Sequence, residues 1–486
     1  FFITNLDAKM KHYPHTLHDF HADVFVEEKD FRVMDFSGMI DNSDFHFSGK
    51  LNNYNLWFDE KMQGDTKIEF DLTSKHLQLD NLFSYGGENF VPEDYRHEVI
   101  DQLKIHGRTD LHFYNGLKSI DFYLTELNGK MEVHPLRFEK FKGSCHLEDG
   151  QLTVKNFSGK MGHSTFNINL DYALEKGKYN VPNQLSITGD RLDLDELLNY
   201  NSAASLSAEK KVDHDKVFSI YDFDFPQFKI KADVGQLNYH KYNLVNFKAK
   251  IRLEKNHMIH CDKFDFNAAG GKFDITGYLS GKDKEHIYFN PVIKISHLDL
   301  DRFMVKFDNF GQDHLVSENL HGIFTGKITG KIHLHADLVP KIDDSELYID
   351  MNVYNGKLEN YAPLLALGDY FEDSKLKEVR FDTLTNVLTL KKSNISIPTM
   401  TINSSLGFME IRGDQRIDGA MKMDYLIGVP WKLVTQVAGR KLLGRLVKDK
   451  PSENEIQYRQ KNSKFLYLKL KGDLDNYSIS ISKNPK

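Results

Sequence analysis

Residues 127–172 read LNGKMEVHPLRFEKFKGSCHLEDGQLTVKNFSGKMGHSTFNINLDY, and the chain repeats this plan on both sides of them. A shift of 121 residues carries Leu127, Lys130, Met131, Pro135, Phe141, Leu147, Val154, Phe157, Ser158, Gly159 and Phe166 onto Leu6, Lys9, Met10, Pro14, Phe20, Val26, Val33, Phe36, Ser37, Gly38 and Phe45. A shift of 106 or 107 the other way, with one gap, carries Met131, Phe141, Leu147, Phe157, Phe166 and Ile168 onto Leu237, Phe247, Leu253, Phe264, Phe273 and Ile275. A looser fourth copy matches Ile402, Met409, Ile411 and Gly413 to Phe266, Phe273, Ile275 and Gly277. Repetition of this kind dictates architecture before any local reading does. It divides the chain into repeats over 1–125, 126–228 and 229–340, followed by a C-terminal region over 341–486.

The period inside each repeat is two. Phe166, Ile168, Leu170 and Tyr172 share one strand face, and Thr165, Asn167, Asn169 and Asp171 share the other. The same alternation runs through Ile230, Ala232 and Val234, through Ile328, Ile332 and Leu334, through Leu347, Ile349, Met351 and Val353, and through Leu466, Leu468 and Leu470. Asp149-Gly150, Gly270-Gly271, Asn355-Gly356 and Gly472-Asp473 read as turns, because these residues tolerate positive φ. Short connections between many strands predict an antiparallel meander. The composition agrees: 35 Phe and 22 Tyr among 486 residues favour strands. A net charge of −7 with no basic run in the repeats argues against nucleic acid as a partner. Cys145 and Cys261 are too few for a disulfide scaffold.

Three junctions recur. Leu77-Gln78-Leu79-Asp80, Leu192-Asp193-Leu194-Asp195 and Leu298-Asp299-Leu300-Asp301 read as strand passing into helix, with the shared Asp80, Asp195 and Asp301 at the N-cap. A helical pattern is expected over 93–103 and another over 361–371. Residues 199–216 and 448–461 read as polar insertions. Pro430 opens a final amphipathic helix over 430–448, in which Trp431 with Lys432, Arg440, Lys441 and Arg445 suits contact with an anionic membrane surface. The plainer reading packs its apolar stripe on the end of the sheet.

Catalytic patterns are missing from the sequence: no nucleophile elbow, no zinc-protease helix, no phosphate-binding loop and no dinucleotide fingerprint occurs. His12, His15, His18 and His21 invite a metal, but their repeat equivalents Val133, Leu136, Glu139 and Lys142 are not ligand types. His333 and His335 read as solvated histidines, and Asp343-Asp344 as a turn-like segment beside Pro340. The expectation is a non-enzyme without metal or cofactor, since a repeated scaffold builds a surface rather than one active site.

That surface follows from the two faces. A sheet of roughly 20 to 25 strands spaced about 4.8 Å apart would run on the order of 100 Å. The fold class expected is therefore mainly β: an elongated, curled antiparallel β-sheet groove built from repeats, with a few short helices. Its lining is read as Phe36, Phe45, Phe47, Phe157, Phe166, Ile168, Leu170, Phe264, Phe273, Ile275, Ile332, Leu334, Ile349, Met351 and Ile411. Such a trough suits acyl chains, each methylene gaining about 0.8 kcal/mol on leaving water.

The residues also resemble a family. Gly235-Gln236-Leu237, the run from Ala268 to Gly277 (AAGGKFDITG), the Leu-x-Leu-Asp junctions and above all residues 355–430 are similar to the AsmA-like proteins of Gram-negative envelopes in their Bacteroidota form. Within 355–430 the likeness rests on Asn355-Gly356-Lys357-Leu358, Phe381-x-x-Leu384-x-Asn386, Ile395-Ser396-Ile397-Pro398-x-Met400-x-Ile402, Ile411-x-Gly413 and Asp424-Tyr425-x-Ile427-x-Val429. The resemblance implies a periplasmic protein anchored in the inner membrane by an N-terminal helix outside this chain. It further implies a groove like that of bridge-like lipid-transfer proteins, moving phospholipid toward the outer membrane or maintaining that membrane. A scaffold assisting an outer-membrane protein without transport, its apolar face sealed on itself, is the alternative. An adhesin or glycan binder would instead need exposed aromatic platforms.

Overall fold

The period-two stretches form strands where their alternation places them. A computed structural model describes residues 1–9, 13–57, 63–79, 84–85, 88–89, 98–132, 136–174, 183–197, 219–221, 227–239, 242–306, 319–360, 365, 373–417, 422–431, 455–459, 464–473 and 476–482. The protein is mainly β: 24 strands belong to one sheet, mostly antiparallel and not closed into a barrel. The chain divides into two compact units, Phe1–Lys210 with Pro226–Phe247, and Lys211–Phe225 with Lys248–Lys486.

The first unit contains β1 (Phe2–Lys9), β2 (Thr16–Val26), β3 (Asp30–Ile40), β4 (Ser43–Asn52), β5 (Gln63–Gln78), the small hairpin β6 (Ser84–Tyr85) and β7 (Glu88–Asn89), and β8 (Val99–Tyr114). It continues through β9 (Leu117–Met131), β10 (Arg137–Glu148), β11 (Gln151–Met161), β12 (Ser164–Ala173), β13 (Asn183–Asp193), helix α1 (Leu194–Leu197) and β14 (Phe228–Tyr239). The ladder from β1 to β13 is antiparallel throughout, each strand pairing with the next and β5 with β8. The expected meander breaks once: β13 and β14 run parallel, Leu185 opposite Ile230 and Leu192 opposite Leu237. A parallel pair needs a crossover of about a dozen residues or more, and residues 194–227 supply it.

β15 (Tyr242–Glu254) comes next in the chain. The second unit holds β16 (Met258–Ala268), β17 (Gly271–Ser280), β18 (Tyr288–Asp299), helix α2 (Leu300–Lys306), β19 (Leu320–Leu334) and β20 (Pro340–Glu359). It ends with helix α3 (Asp373–Leu376), β21 (Glu378–Lys391), β22 (Asn394–Ser404), β23 (Gly407–Arg416), β24 (Met423–Pro430), β25 (Phe465–Gly472) and β26 (Tyr477–Ser482). These strands form an antiparallel meander in sequence order.

Four sequence expectations need correction. Residues 99–103 open strand β8 rather than close a helix: Ile100, Leu103 and Ile105 pair into the sheet, and that burial outweighs the local helical pattern. The N-caps sit two residues earlier than expected. Asp193 Oδ1 accepts from the Glu196 amide at 3.2 Å and Asp299 Oδ1 from the Arg302 amide at 3.1 Å, so Asp195 and Asp301 lie in the first turn, where the helix dipole favours a carboxylate. Asn355-Gly356 is not a turn but a bulge inside β20, Asn355 at φ 50°. Asp343 and Asp344 lie in that strand too, Ser393 Oγ donating to Asp343. The helix over 361–371 apart from Leu365, the insertion over 199–216, Asp80 and His12 lie outside the described residues, as does most of 430–448 and of 448–461.

Bulges recur at equivalent positions of the repeats. Asp19, Lys140 and Asn246, one residue per repeat at equivalent positions, all have φ between 54° and 56°. Each immediately precedes a buried phenylalanine: Phe20, Phe141 or Phe247. The ladder shifts register there, between His18 and His21 and between Glu139 and Lys142. A bulge adds one residue to one strand, bends it and increases its twist. The freed amides find equivalent acceptors: the Asp19 amide donates to Asp7 Oδ1 at 3.2 Å and the Lys140 amide to Asn128 Oδ1 at 2.8 Å.

Candidate functional site

Residues opposite each other on a ladder point to the same side of a sheet, so the register traces one face across each unit. In the first unit it passes from Ala22 to Phe36 and Phe47, then to Leu72 and Ile105, and on to Leu127 and Phe141. From β11 it runs through Phe157, Ile168, Ile187 and Ala232. In the second unit it passes from Phe264 to Ile275 and Ile293, and then through Ile328, Ile349 and Leu388. Beyond β22, Met400, Ile411, Ile427, Leu468 and Ile481 carry it to the last strand.

Every residue expected to line a groove lies on this face within its own unit. Phe36, Phe45, Phe47, Phe157, Phe166, Ile168 and Leu170 belong to the first unit; Phe264, Phe273, Ile275, Ile332, Leu334, Ile349, Met351 and Ile411 belong to the second. All are half-buried except Phe273 and Leu334, which are 7% exposed. Leu334 packs into a closed cluster with Ile220, Leu279 and Ile287. Cover is local among the described residues: Leu300 of α2 packs on Val353, Phe381, Met400 and Ile402, Leu376 of α3 on Met409, Ile427 and Leu468, and Ile220 on Leu279 and Leu334, while the phenylalanine rows of the first unit stay half-buried.

Phenylalanine is what builds the face, and it does so over glycine. Phe20, Phe36 and Phe45 form a triad with ring centroids 5.3–5.4 Å apart. Phe141, Phe157 and Phe166 form the same triad 121 residues on, at 5.4–6.4 Å. The first ring of each lies where a side chain on Gly38 or Gly159 would stand: a Cβ would come within 3.0 Å of Phe20 and 2.5 Å of Phe141. In the second unit Phe266 takes the glycine's place and stacks on Phe273 at 4.7 Å. Sequence reasoning missed a second row, Phe47 on Phe70 at 6.3 Å and Phe70 on Phe122 at 6.4 Å, which crosses β8 over Gly107. The alternation of Ile68, Phe70 and Leu72 was the available signal.

Both cysteines stand on the apolar face, Cys145 opposite Phe122 and Val154, Cys261 opposite Gly277. Burial pushes both thiols up, reinforced by Asp121 near Cys145 and by Asp262 near Cys261. They are held as thiols and behave as small apolar groups rather than nucleophiles.

The opposite face carries charge. Asp65, His112, Asp121, His146 and Glu148 form a row across β5, β8, β9 and β10: His112 Nδ1 lies 2.7 Å from Asp65, its Nε2 3.2 Å from Asp121, and His146 bridges Asp121 at 2.8 Å and Glu148 at 3.5 Å. The hydrogen bond to Asp65 foremost, and that to Asp121, raise the His112 pKa above its usual 6.5. His15 pairs with Asp41 and His18 with Asp19, each at 2.7 Å. His333 belongs to the polar side, its ring 6.3 Å from Tyr288, and His335 lies past the end of β19. A cavity of about 280 Å³ beside His333 is lined by Glu285, His286, Lys341 and Asp344, and is polar where the sheet face is apolar. Of the residues expected to touch a membrane, Trp431 is half-exposed and its amide donates to the Lys464 carbonyl at 2.8 Å; Lys432, Arg440, Lys441 and Arg445 lie outside the described residues. Compared with family models, curated proteins and solved structures, the chain matches none.

Proposed function

We propose that the apolar face is a lipid-binding groove and that the protein carries phospholipid between the inner and outer membranes of a Gram-negative envelope, from the periplasm. The single observation that carries this reading is the row of aromatic and aliphatic side chains along one sheet face in each unit, half-buried at Phe36, Phe47, Phe157, Ile168, Phe264, Ile275 and Ile349. A folded chain that leaves so much apolar surface uncovered has a reason to do so. An acyl chain of about 14 methylenes recovers on the order of 10 kcal/mol by leaving water for such a surface. Transport along the face then needs no catalytic group, because each step exchanges one apolar contact for an equivalent one. The polar outer face, with its ion pairs, remains hydrated.

The reading is tested by transfer of a fluorescent phospholipid between vesicles. Wild type should accelerate transfer, and Ile168→Asp or Ile275→Asp should abolish the acceleration with the circular dichroism spectrum unchanged. Equal acceleration by wild type and variants would remove the groove from the account and leave the scaffold reading, in which the apolar face is sealed on itself.

A further inference from the structure

The two ends of the strands in the first unit differ. At the end that leads into α1, the apolar residues Leu77, Met131, Leu136 and Leu192 are buried, all at 9% exposure or less. At the opposite end the chain turns at residues 27–29, 53–57, 115–116 and 149–150 and after Leu174. There Phe25, Val26, Trp57, Tyr114, Leu117 and Leu174 are 49–62% exposed. The ladder makes them neighbours along one edge: Val26 pairs with Phe31, Phe31 with Leu51, Gln63 with Tyr114, Phe113 with Leu117, and the Leu174 amide donates to the Gly150 carbonyl. From β2 to β12 the row covers roughly 40 Å at about 4.8 Å per strand.

We infer that this row is a docking edge for the surface of a lipid bilayer with neutral headgroups. The apolar side chains stand singly or in pairs, separated by polar tips: Glu27-Glu28-Lys29, Asn115-Gly116 and Asp149-Gly150. A protein partner needs a continuous complementary patch of about 800 Å² on each side. A bilayer boundary instead accepts separate aromatic and aliphatic groups held at one height, tryptophan and tyrosine above all, since their rings are apolar and their N–H or O–H stays wet. Charge decides the lipid. Lys118 is engaged by Asp149 at 2.6 Å and Glu148 at 3.6 Å, and Glu27 and Glu28 outweigh Lys29, so among the described residues of these turns no basic excess draws the edge to an anionic surface. The inference goes beyond the groove, because docking uses only the edge and does not depend on what the face holds.

Trp57 and Trp431 are the two tryptophans, so in Trp431→Phe the emission of Trp57 reports alone. The full chain carrying this change should shift its emission to the blue on phosphatidylcholine vesicles and be quenched by brominated phosphatidylcholine. Adding Tyr114→Ser, Leu117→Ser and Leu174→Ser, all at exposed positions, should weaken co-sedimentation with these vesicles about tenfold or more, while the lipid content of the groove stays unchanged. Quenching of the unsubstituted edge needs no fold-sensitive variant. Unmoved Trp57 emission, binding that requires phosphatidylglycerol, equal co-sedimentation of the serine variant, or a dimer in sedimentation equilibrium that the variant loses would each overturn the inference.

Discussion

At the scale of single residues, the fold depends on glycines that make room for phenylalanine rings. A methyl on Gly159 would stand 2.5 Å from the Phe141 ring, against 3.0 Å from Phe20 for Gly38. Overpacking of this kind costs about 1–3 kcal/mol. Gly159→Ala should therefore lower the urea midpoint of the first unit more than Gly38→Ala, and an equal effect of the two would contradict the ring-over-glycine account. The histidine row makes a second residue-scale prediction. His112 has a folded pKa raised above 6.5 by Asp65, so its contribution is fully present below the unfolded value and is lost as pH rises through the folded one. His112→Asn should narrow the gap in melting temperature between mildly acidic and mildly alkaline buffer. The effect is modest, because the pair is largely solvated.

At the scale of elements, what was legible in the sequence was whatever a period of two or a repeat encodes. The alternation in 166–172 places β12 and its apolar face, and the 121-residue shift superposes two phenylalanine triads that prove to be the same object in space. What was not legible came from partners distant in sequence. Nothing in the local sequence marks Lys140 as a residue at φ 55°, because the bulge is fixed by the Asn128 acceptor and by the burial of Phe141. The helix over 93–103 was misread for the same reason: Ile100 pairs with strands on both sides and Leu103 with β5, and the sheet overrides local preference. The caps were misplaced because both aspartates of Leu-Asp-Leu-Asp fit the cap signature, and only the backbone path shows which one precedes the helix. Asp193 also accepts from Asn238 Nδ2 at 2.9 Å and Arg191 Nη2 at 3.2 Å. Asp193→Ala should cost on the order of 1 kcal/mol or more in urea unfolding, and Asp195→Ala only a few tenths. The reverse order would restore the sequence assignment of the cap.

At the scale of the whole molecule, each unit presents an apolar sheet face and an outer face studded with ion pairs, and in the second unit α2 and α3 cover part of the apolar face around Met400, Ile427 and Leu468. A sandwich would bury its inner residues; here Phe157, Ile168, Ile275 and Ile349 are all half-buried. The groove was legible in the sequence as a stripe, but not which parts of it close. Phe273, buried between the Phe266 and Phe303 rings, and Leu334, in a packed cluster with Ile220, contribute less open surface than their neighbours. Native mass spectrometry of the chain after incubation with phosphatidylethanolamine vesicles and gel filtration tests the central claim most directly. The account predicts adducts of intact phospholipid on wild type and their loss in Ile168→Asp and Ile275→Asp, both still folded; a wild-type chain that emerges free of lipid would contradict it.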